Sequence, residues 1–420
     1  MSETCKRSLE VTISREEVQE EIERVVGSLK ERVTLPGFRP GKVPANIIRR
    51  RFAEDIREEV IRNLVPKHFR KAADDRNLRV VGTPDVTEVN YQEGEPLSFK
   101  AEFEVVPEFE LHEYRGLTVG YREPHVTEEQ VAERLEQLRE RKAEFVNEAP
   151  RPLADGDFAV VALEAVGEHA SELPRQDELV VKIGDPDTLP EFTESLRGLS
   201  PGENIDFDVR YPEDFGDRRL AGRTIRFHAE VKGIRRKELP ELNDAFARDL
   251  GDFESLEDLR EQVRKAIERE QELAAQQEAR TEIVNRLVDM HDFPVPEALL
   301  ERQIRNQLEQ QLRSLAAQGY EINDLKLDWN KVREAHAERA AREVKASLIL
   351  ERIAEREAIG VTMEELDREV ERLAQQMREP AAALRKRLEE EGALGRIAGR
   401  IRSDKVLNFL FEQARKEVRD

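Results

Sequence analysis

Gly37-Phe38-Arg39-Pro40-Gly41-Lys42-Val43-Pro44 is the stretch of this 420-residue chain in which residue type and spacing point most directly to chemistry. Two glycines and two prolines suit a tight connector, because glycine reaches backbone angles closed to other residues and proline fixes φ. They do not explain Phe38, Arg39 and Lys42. An aromatic at a loop tip packs back or binds, and cations beside it suit a phosphate backbone next to a protein surface. From residue 30 to 51, Lys30, Arg32, Arg39, Lys42, Arg49, Arg50 and Arg51 face only Glu31, a local charge of +6. The whole chain has 69 Lys and Arg against 90 Asp and Glu and carries −21. That balance excludes a protein that coats nucleic acid by bulk charge and leaves room for one basic patch.

Elsewhere the sequence assembles no reactive centre. The single cysteine, Cys5, rules out an intrachain disulfide. Seven histidines stand singly, without HxxxH or HxH spacing, so no metal site is expected. No GxxxxGK[ST] loop is present to cradle a nucleotide, and no cofactor is expected. The start, MSETCKRSLE, lacks the apolar core of a secretory signal, and no run approaches the ~18 apolar residues of a membrane span. A cytoplasmic protein with no membrane attachment is the expectation.

The elements that position the loop can be read from periodicity. Ser14 and Glu17 form a capping box before a helix whose stripe is Val18, Ile22, Val25, Val26, Leu29 and Val33. Beyond Pro44 a second helix is predicted to run to about Asp74. Strands follow at 79–86 and in the alternation Leu97, Phe99, Ala101, Phe103, Val105. Residues 1–113 thus read as a two-layer α+β domain with the loop between its helices. Thr127 with Gln130 caps a helical arm over 114–149, with Val131, Leu135, Leu138 and Phe145 as its stripe. Residues 150–236 read as a small β half-barrel with a central helix, its strands near 157–163, 178–183, 204–211 and 224–234. From 237 to 420 the chain reads as a long all-α body with arms, broken at Pro294 and Pro296, near Gly319, at Gly360 and at Pro380. Its apolar positions Leu299, Leu300, Ile304, Leu308, Leu312, Leu315, Val344, Leu348, Ile349, Leu350 and Ile353 repeat at helical spacing. Most are expected to be interhelical core. The fold class is multidomain α+β.

The octapeptide resembles the ribosome-docking signature of the trigger factor family (Gly-Phe-Arg-x-Gly-Lys-x-Pro), and the order of regions resembles that family along essentially the whole chain. The resemblance implies an ATP-independent chaperone at the polypeptide exit of the large ribosomal subunit, shielding nascent and unfolded chains. Gly37, Phe38, Arg39, Pro40, Gly41 and Lys42 would form the ribosome contact, to a ribosomal protein and neighbouring rRNA. Pro40 stands where some relatives carry Lys. A homodimer off the ribosome is left open. The middle region resembles FK506-binding-type prolyl isomerases, which use no nucleophile and twist the imide in a dry aromatic pocket. The resemblance places that pocket at Leu163, Leu189, Phe192, Phe215 and Phe227. Three departures point to a weakened grip: Ala162-Leu163 where that family has Asp-Phe, Glu191 in place of a turn Gly, and a shortened flap after the first strand without its aromatics. Two other readings stay open, a stand-alone prolyl isomerase and a non-enzymatic helical scaffold for a protein partner.

Overall fold

The computed structural model describes residues 5–419 except 34, 36, 37, 39–41, 93, 168–172, 217–219 and 319–327. β1 (Lys6–Ile13) leads into α1 (Arg15–Arg32), which starts where the sequence predicts: the Ser14 hydroxyl accepts from the Glu17 amide, and the Glu17 carboxylate accepts from the Ser14 amide. α1 buries Val18, Ile22, Val25 and Val26. The single helix predicted beyond Pro44 is two, α2 (Ala45–Arg51) and α3 (Ala53–Asp74), broken at Phe52 with φ −117° and ψ 31°. Ile48, Phe52 and Ile56 keep four-residue spacing straight through the break, which is why periodicity does not reveal it. β2 (Val80–Asn90) and β3 (Leu97–Val105) complete an antiparallel sheet of order β1-β3-β2. β3 buries Leu97, Phe99, Ala101, Phe103 and Val105, the predicted alternation, in a core shared with all three helices.

The segment predicted as a helical arm is more varied. β4 (Thr118–Tyr121) precedes α4 (Glu128–Arg141), and β5 (Glu144–Asn147) follows it. Phe145 therefore does not extend the helical stripe. It sits on β5, opposite Lys237, 49% exposed and edge-on to Phe158 with ring centroids 4.9 Å apart. α4 ends at Lys142, and the Glu-Phe-Val-Asn run beyond it pairs as an edge strand. β6 (Phe158–Val166), β7 (Gln176–Lys182), α5 (Pro190–Leu196), β8 (Asn204–Arg210) and β9 (Thr224–Glu238) then build the half-barrel. Its sheet order is β5-β9-β6-β7, with β8 on the other part of β9. α5 is the expected central helix, closing the curled face with Phe192 and Leu196.

α6 (Asp244–Leu250) and the 35-residue α7 (Leu256–Met290) begin the helical part, and α4, α6 and early α7 share Val131, Leu135, Phe246, Leu259 and Val263. α8 (Glu297–Ala317), α9 (Trp329–Arg356), α10 (Met363–Met377), α11 (Ala381–Glu390) and α12 (Leu394–Gln413) follow, with the breaks before α8, α10 and α11 where the prolines and Gly360 predict and an unpredicted one at Gly392, φ +62°, between α11 and α12. The break predicted near Gly319 lies outside the described residues. β10 (Arg415–Val418), absent from the sequence reading, pairs in parallel with β4. The chain packs as two compact units. One joins Met1–Arg122 with Ala275–Asp420, and the other is Glu123–Ala274.

Within the first unit, the sheet meets the start of α8 at a close approach. Gly82, with φ +74°, sits at the irregularity between Val81 and Asp85 of β2. A Cβ there would lie 2.7 Å from the Ala298 Cβ, and the Ala298 amide donates to Glu104 of β3 at 2.7 Å. Gly94 also has positive φ but open space around it. Gly82→Ala is therefore expected to lose about 3 kcal/mol, strain plus overlap, against about 1 kcal/mol for Gly94→Ala, from strain alone. Urea unfolding of the two variants checks this, and equal losses would remove the close-approach argument.

Candidate functional site

The basic turn is held from both sides. Leu35 and Val43, the latter fully buried, anchor its flanks in the core under α1, α2 and α3. Between them Phe38 is 37% exposed, and its amide donates to the Leu35 carbonyl at 3.1 Å. Lys42 is exposed beside it. Gly37, Arg39, Pro40 and Gly41 lie outside the described residues. Lys30 and Arg32 close the last turn of α1, and Arg49, Arg50 and Arg51 the last turn of α2, where cations are favoured by the helix dipole. Arg49 reaches back to Glu23 at 3.6 Å, whereas Arg50 and Arg51 are exposed. The basic cluster is thus split between a part that braces α1 against α2 and a part left to solvent.

A second site is a cavity of about 380 Å³ in the half-barrel. It collects all five residues predicted for a pocket, Leu163 from β6, Leu189 and Phe192 at the start of α5, Phe215 after β8 and Phe227 from β9. The arrangement is an open pocket and not a filled core. Register explains the grouping: Ala165 pairs with Phe227, and Phe207 of β8 pairs with Phe227 from the other side, so three strands present one face. Phe192 meets Phe207 edge-on at 5.2 Å, and Tyr211 meets Phe215 at 4.8 Å. The loop before α5 is fixed by two threonines: Thr193 accepts from the Gly184 amide at 3.2 Å, and Thr188 donates to the Lys182 carbonyl at 3.0 Å. Ala162 points to the opposite face of β6 from Leu163 and does not line the cavity. Glu191 stands in the first turn of α5, a position that suits a carboxylate. The shortened flap falls at 168–172, outside the described residues. Tyr211, of the Tyr211-Pro212-x-x-Phe215 run that resembles the isomerase family, also lines the cavity, as do Leu173, Leu179 and Leu220, whose isolated spacing gave no signal in the sequence.

The half-barrel is braced where β6 begins. Arg151 donates to Asp157 at 2.6 and 2.8 Å and to Glu148 at 2.5 and 3.1 Å. The Arg151 hydrogen bonds hold the Asp157 carboxyl below its usual range despite partial burial, with the Ala154 amide adding to the effect. Among the described residues no group of three or more His, Cys, Asp or Glu could hold a metal, and no helix is long and apolar enough to cross a membrane.

The apolar positions of the helical body divide by depth. Leu299, Ile304, Val344, Leu348, Ile349, Leu350 and Ile353 are buried. Leu308, Leu312 and Leu315, on the outer half of α8, are only half-buried, and Trp329 at the start of α9 is exposed. Spacing could not separate these two sets because both repeat on one helical face.

Comparison with known proteins agrees along the chain. Residues 1–138 match the family model of the bacterial trigger factor protein, and residues 255–412 match that of its C-terminus. Trigger factor of Solibacter usitatus is 54% identical over 414 residues, covering 99% of this chain and 98% of the relative. Trigger factor of Koribacter versatilis is 40% identical over 412 residues, covering 97% and 94%. A solved structure of a trigger factor chaperone, studied for promiscuous substrate recognition in folding and assembly, matches with a TM-score of 0.54 over 98% of each chain. Its 22% identity makes that a likeness of fold.

Since the folded Asp157 carboxyl lies below its unfolded value, its contribution is present above the unfolded pKa and lost as pH falls through the folded one. Hydrogen-exchange protection of β6 and β9 is expected to drop below about pH 4. Asp157→Asn should lower that protection at neutral pH and flatten the acid dependence; an unchanged profile would mean the brace contributes nothing.

Proposed function

The chain belongs to the bacterial trigger factor family and is a chaperone of that family, and we propose that it docks on the large ribosomal subunit through the turn around Phe38. The observation that carries this reading is the exposed Phe38 ring at the tip of a basic turn whose flanks, Leu35 and Val43, are buried. An aromatic held out of its own core supplies apolar area to a ribosomal protein. Exposed Lys42, Arg50 and Arg51, together with Arg39 of the motif, supply charge to rRNA phosphates by counterion release. Nascent and unfolded segments are the client class, met by half-exposed leucines of α8 through weak, distributed apolar contacts. Clients leave when burying their own surface outcompetes those contacts, so release calls for no ATP. The place of action is the cytoplasm.

Prolyl isomerisation is the second activity we propose, in the half-barrel cavity. The barrier of roughly 18–20 kcal/mol comes from partial double-bond character in the C–N bond. Twisting the imide removes that resonance, and an apolar, aromatic-lined cavity that strips water from the planar amide favours the twisted form. Phe192, Phe215 and Phe227 supply the walls, and Leu189 and Leu163 complete them. Leu163 in place of an aromatic leaves one wall less extensive, so a modest rate is expected.

Two measurements separate this reading from a stand-alone isomerase and from a scaffold. Phe38→Ala with Arg39→Ala should reduce co-sedimentation with ribosomes by about tenfold or more, with binding of wild type weakening steeply as salt rises. If wild type and the double variant pellet equally, the docking claim fails. Phe227→Ala should lower kcat/KM on a short Xaa-Pro peptide by about tenfold and leave ribosome pelleting unchanged. A high isomerase rate with no ribosome binding would favour the stand-alone enzyme, and indifference to both ribosomes and unfolded clients would favour the scaffold.

A further inference from the structure

His112 and His291, 179 positions apart, meet where the segment leaving the sheet crosses the end of α7. His291 is 3% exposed and lies one residue beyond α7. The His112 amide donates to its Nε2 at 3.0 Å, and its Nδ1 lies 2.7 Å from the Leu287 carbonyl. A carbonyl only accepts, so the ring proton sits on Nδ1 and Nε2 offers a lone pair. Both nitrogens are satisfied only when the ring is neutral and in that one tautomer. The His112 Nδ1 lies 2.5 Å from the Met290 carbonyl and must likewise carry its proton. The two imidazoles stack at 4.7 Å, and Phe109 stacks on Phe293 at 4.1 Å while meeting His291 edge-on. Residues 109–112 are thereby fastened to α7 and to the turn before α8, and the buried ring among these contacts is that of His291.

Protonation would put a second N–H on Nε2, pointing at the N–H of His112. The hydrogen bond becomes a repulsion between two donors, and a buried cation is left without an acceptor. Nearby charge offers no rescue. From the connector, His112 would add a like charge, and Glu110 and Glu113 are exposed. Asp292 is engaged by Lys345 of α9 at 3.3 Å, and Asp289 by Arg342 at 2.8 Å. Lys345 lies 5.4 Å from the centre of the Phe293 ring. We propose that His291 is a proton-operated latch: neutral, it fastens the connector to the helical body, and protonated, it releases residues 109–112. Burial, with His112 as a lesser cause, moves the ring below the ordinary histidine range. The latch therefore holds fully above the unfolded value and weakens as pH falls from there through the folded one, by at most about tenfold in closed population per pH unit between the two.

The wild-type chain itself provides the test. With 15N-labelled histidine, the ring nitrogens of His291, assigned from the signals missing in His291→Gln, should report a neutral Nδ1–H tautomer that titrates below the ordinary range. An Nε2–H tautomer, or titration at or above that range, overturns the proposal. Hydrogen exchange of residues 109–112, corrected for intrinsic rates, should lose at least about tenfold in protection between about pH 8 and about pH 5 in wild type. In His291→Gln, which cannot titrate, that loss should vanish. A loss that persists in the variant would place the switch elsewhere and overturn the assignment.

Discussion

The apolar cluster around Tyr114 and Val119 is the contact on which the first unit depends, because it closes the two ends of the chain on each other. Val119 and Tyr114 pack with Ile283 and Leu287 of α7, Ile349 and Ile353 of α9, and Val406 and Leu410 of α12. Closing a loop of roughly 150 residues costs about 4 kcal/mol, since the penalty grows only with the logarithm of length. Burying one aliphatic side chain contributes about 2 kcal/mol, so a handful of these positions outweighs the closure. Polar groups then set register. Tyr114 donates to Glu357 at 2.5 Å, and Arg115 grips both Glu357 oxygens at 2.6 and 2.7 Å. β10 adds a parallel pairing to β4, with Lys416 over the rings of Phe411 and Tyr121.

That hierarchy also explains the charge. Most ion pairs of the helical body lie on its surface, as between Arg339 and Glu343 or Arg342 and Asp289, where each contributes at most about 1 kcal/mol. Their dense lacing keeps long helices solvated and leaves the fold to the apolar clusters. Against this acidic background the +6 segment is an exception that its own domain uses only in part. Among the described residues Arg49 of α2 reaches an acidic neighbour on α1, Glu23, and the core beneath is apolar, built mostly from Val, Ile, Leu and Phe.

How much could be read from the sequence follows from the range of each interaction. Local ones were legible: the capping boxes at Ser14 and Thr127 start helices as read, and Pro296 and Pro380 mark breaks as read, each at the N-cap of the next helix. The β3 alternation needed only its own nine residues. Features set by a distant partner were not. Phe145 continues a helical spacing yet joins β5, because Lys237 supplies a strand edge. β10 forms only because residues 118–121 lie beside it. His112 and His291 each read as isolated, and only the closure around Tyr114 and Val119 brings them together. The loop motif was visible because its meaning is carried by residue types in one short run.

The half-barrel cavity brings together residues that resemblance named as a group and that spacing could not group. Leu163, Leu189, Phe192, Phe215 and Phe227 lie on four separate elements, and each alone is indistinguishable from core. What makes them a wall is that the curled sheet and α5 stop short of filling the space between them, with Thr188 and Thr193 pinning the loop that forms its rim. An apolar cavity of this kind carries no reactive residue type for a sequence to display. The turn around Phe38 is the opposite case: its residues are conspicuous, and the fold's task is only to keep the ring out of the core. Leu35 and Val43 take the buried places on either side, and Phe38 keeps its exposure between them.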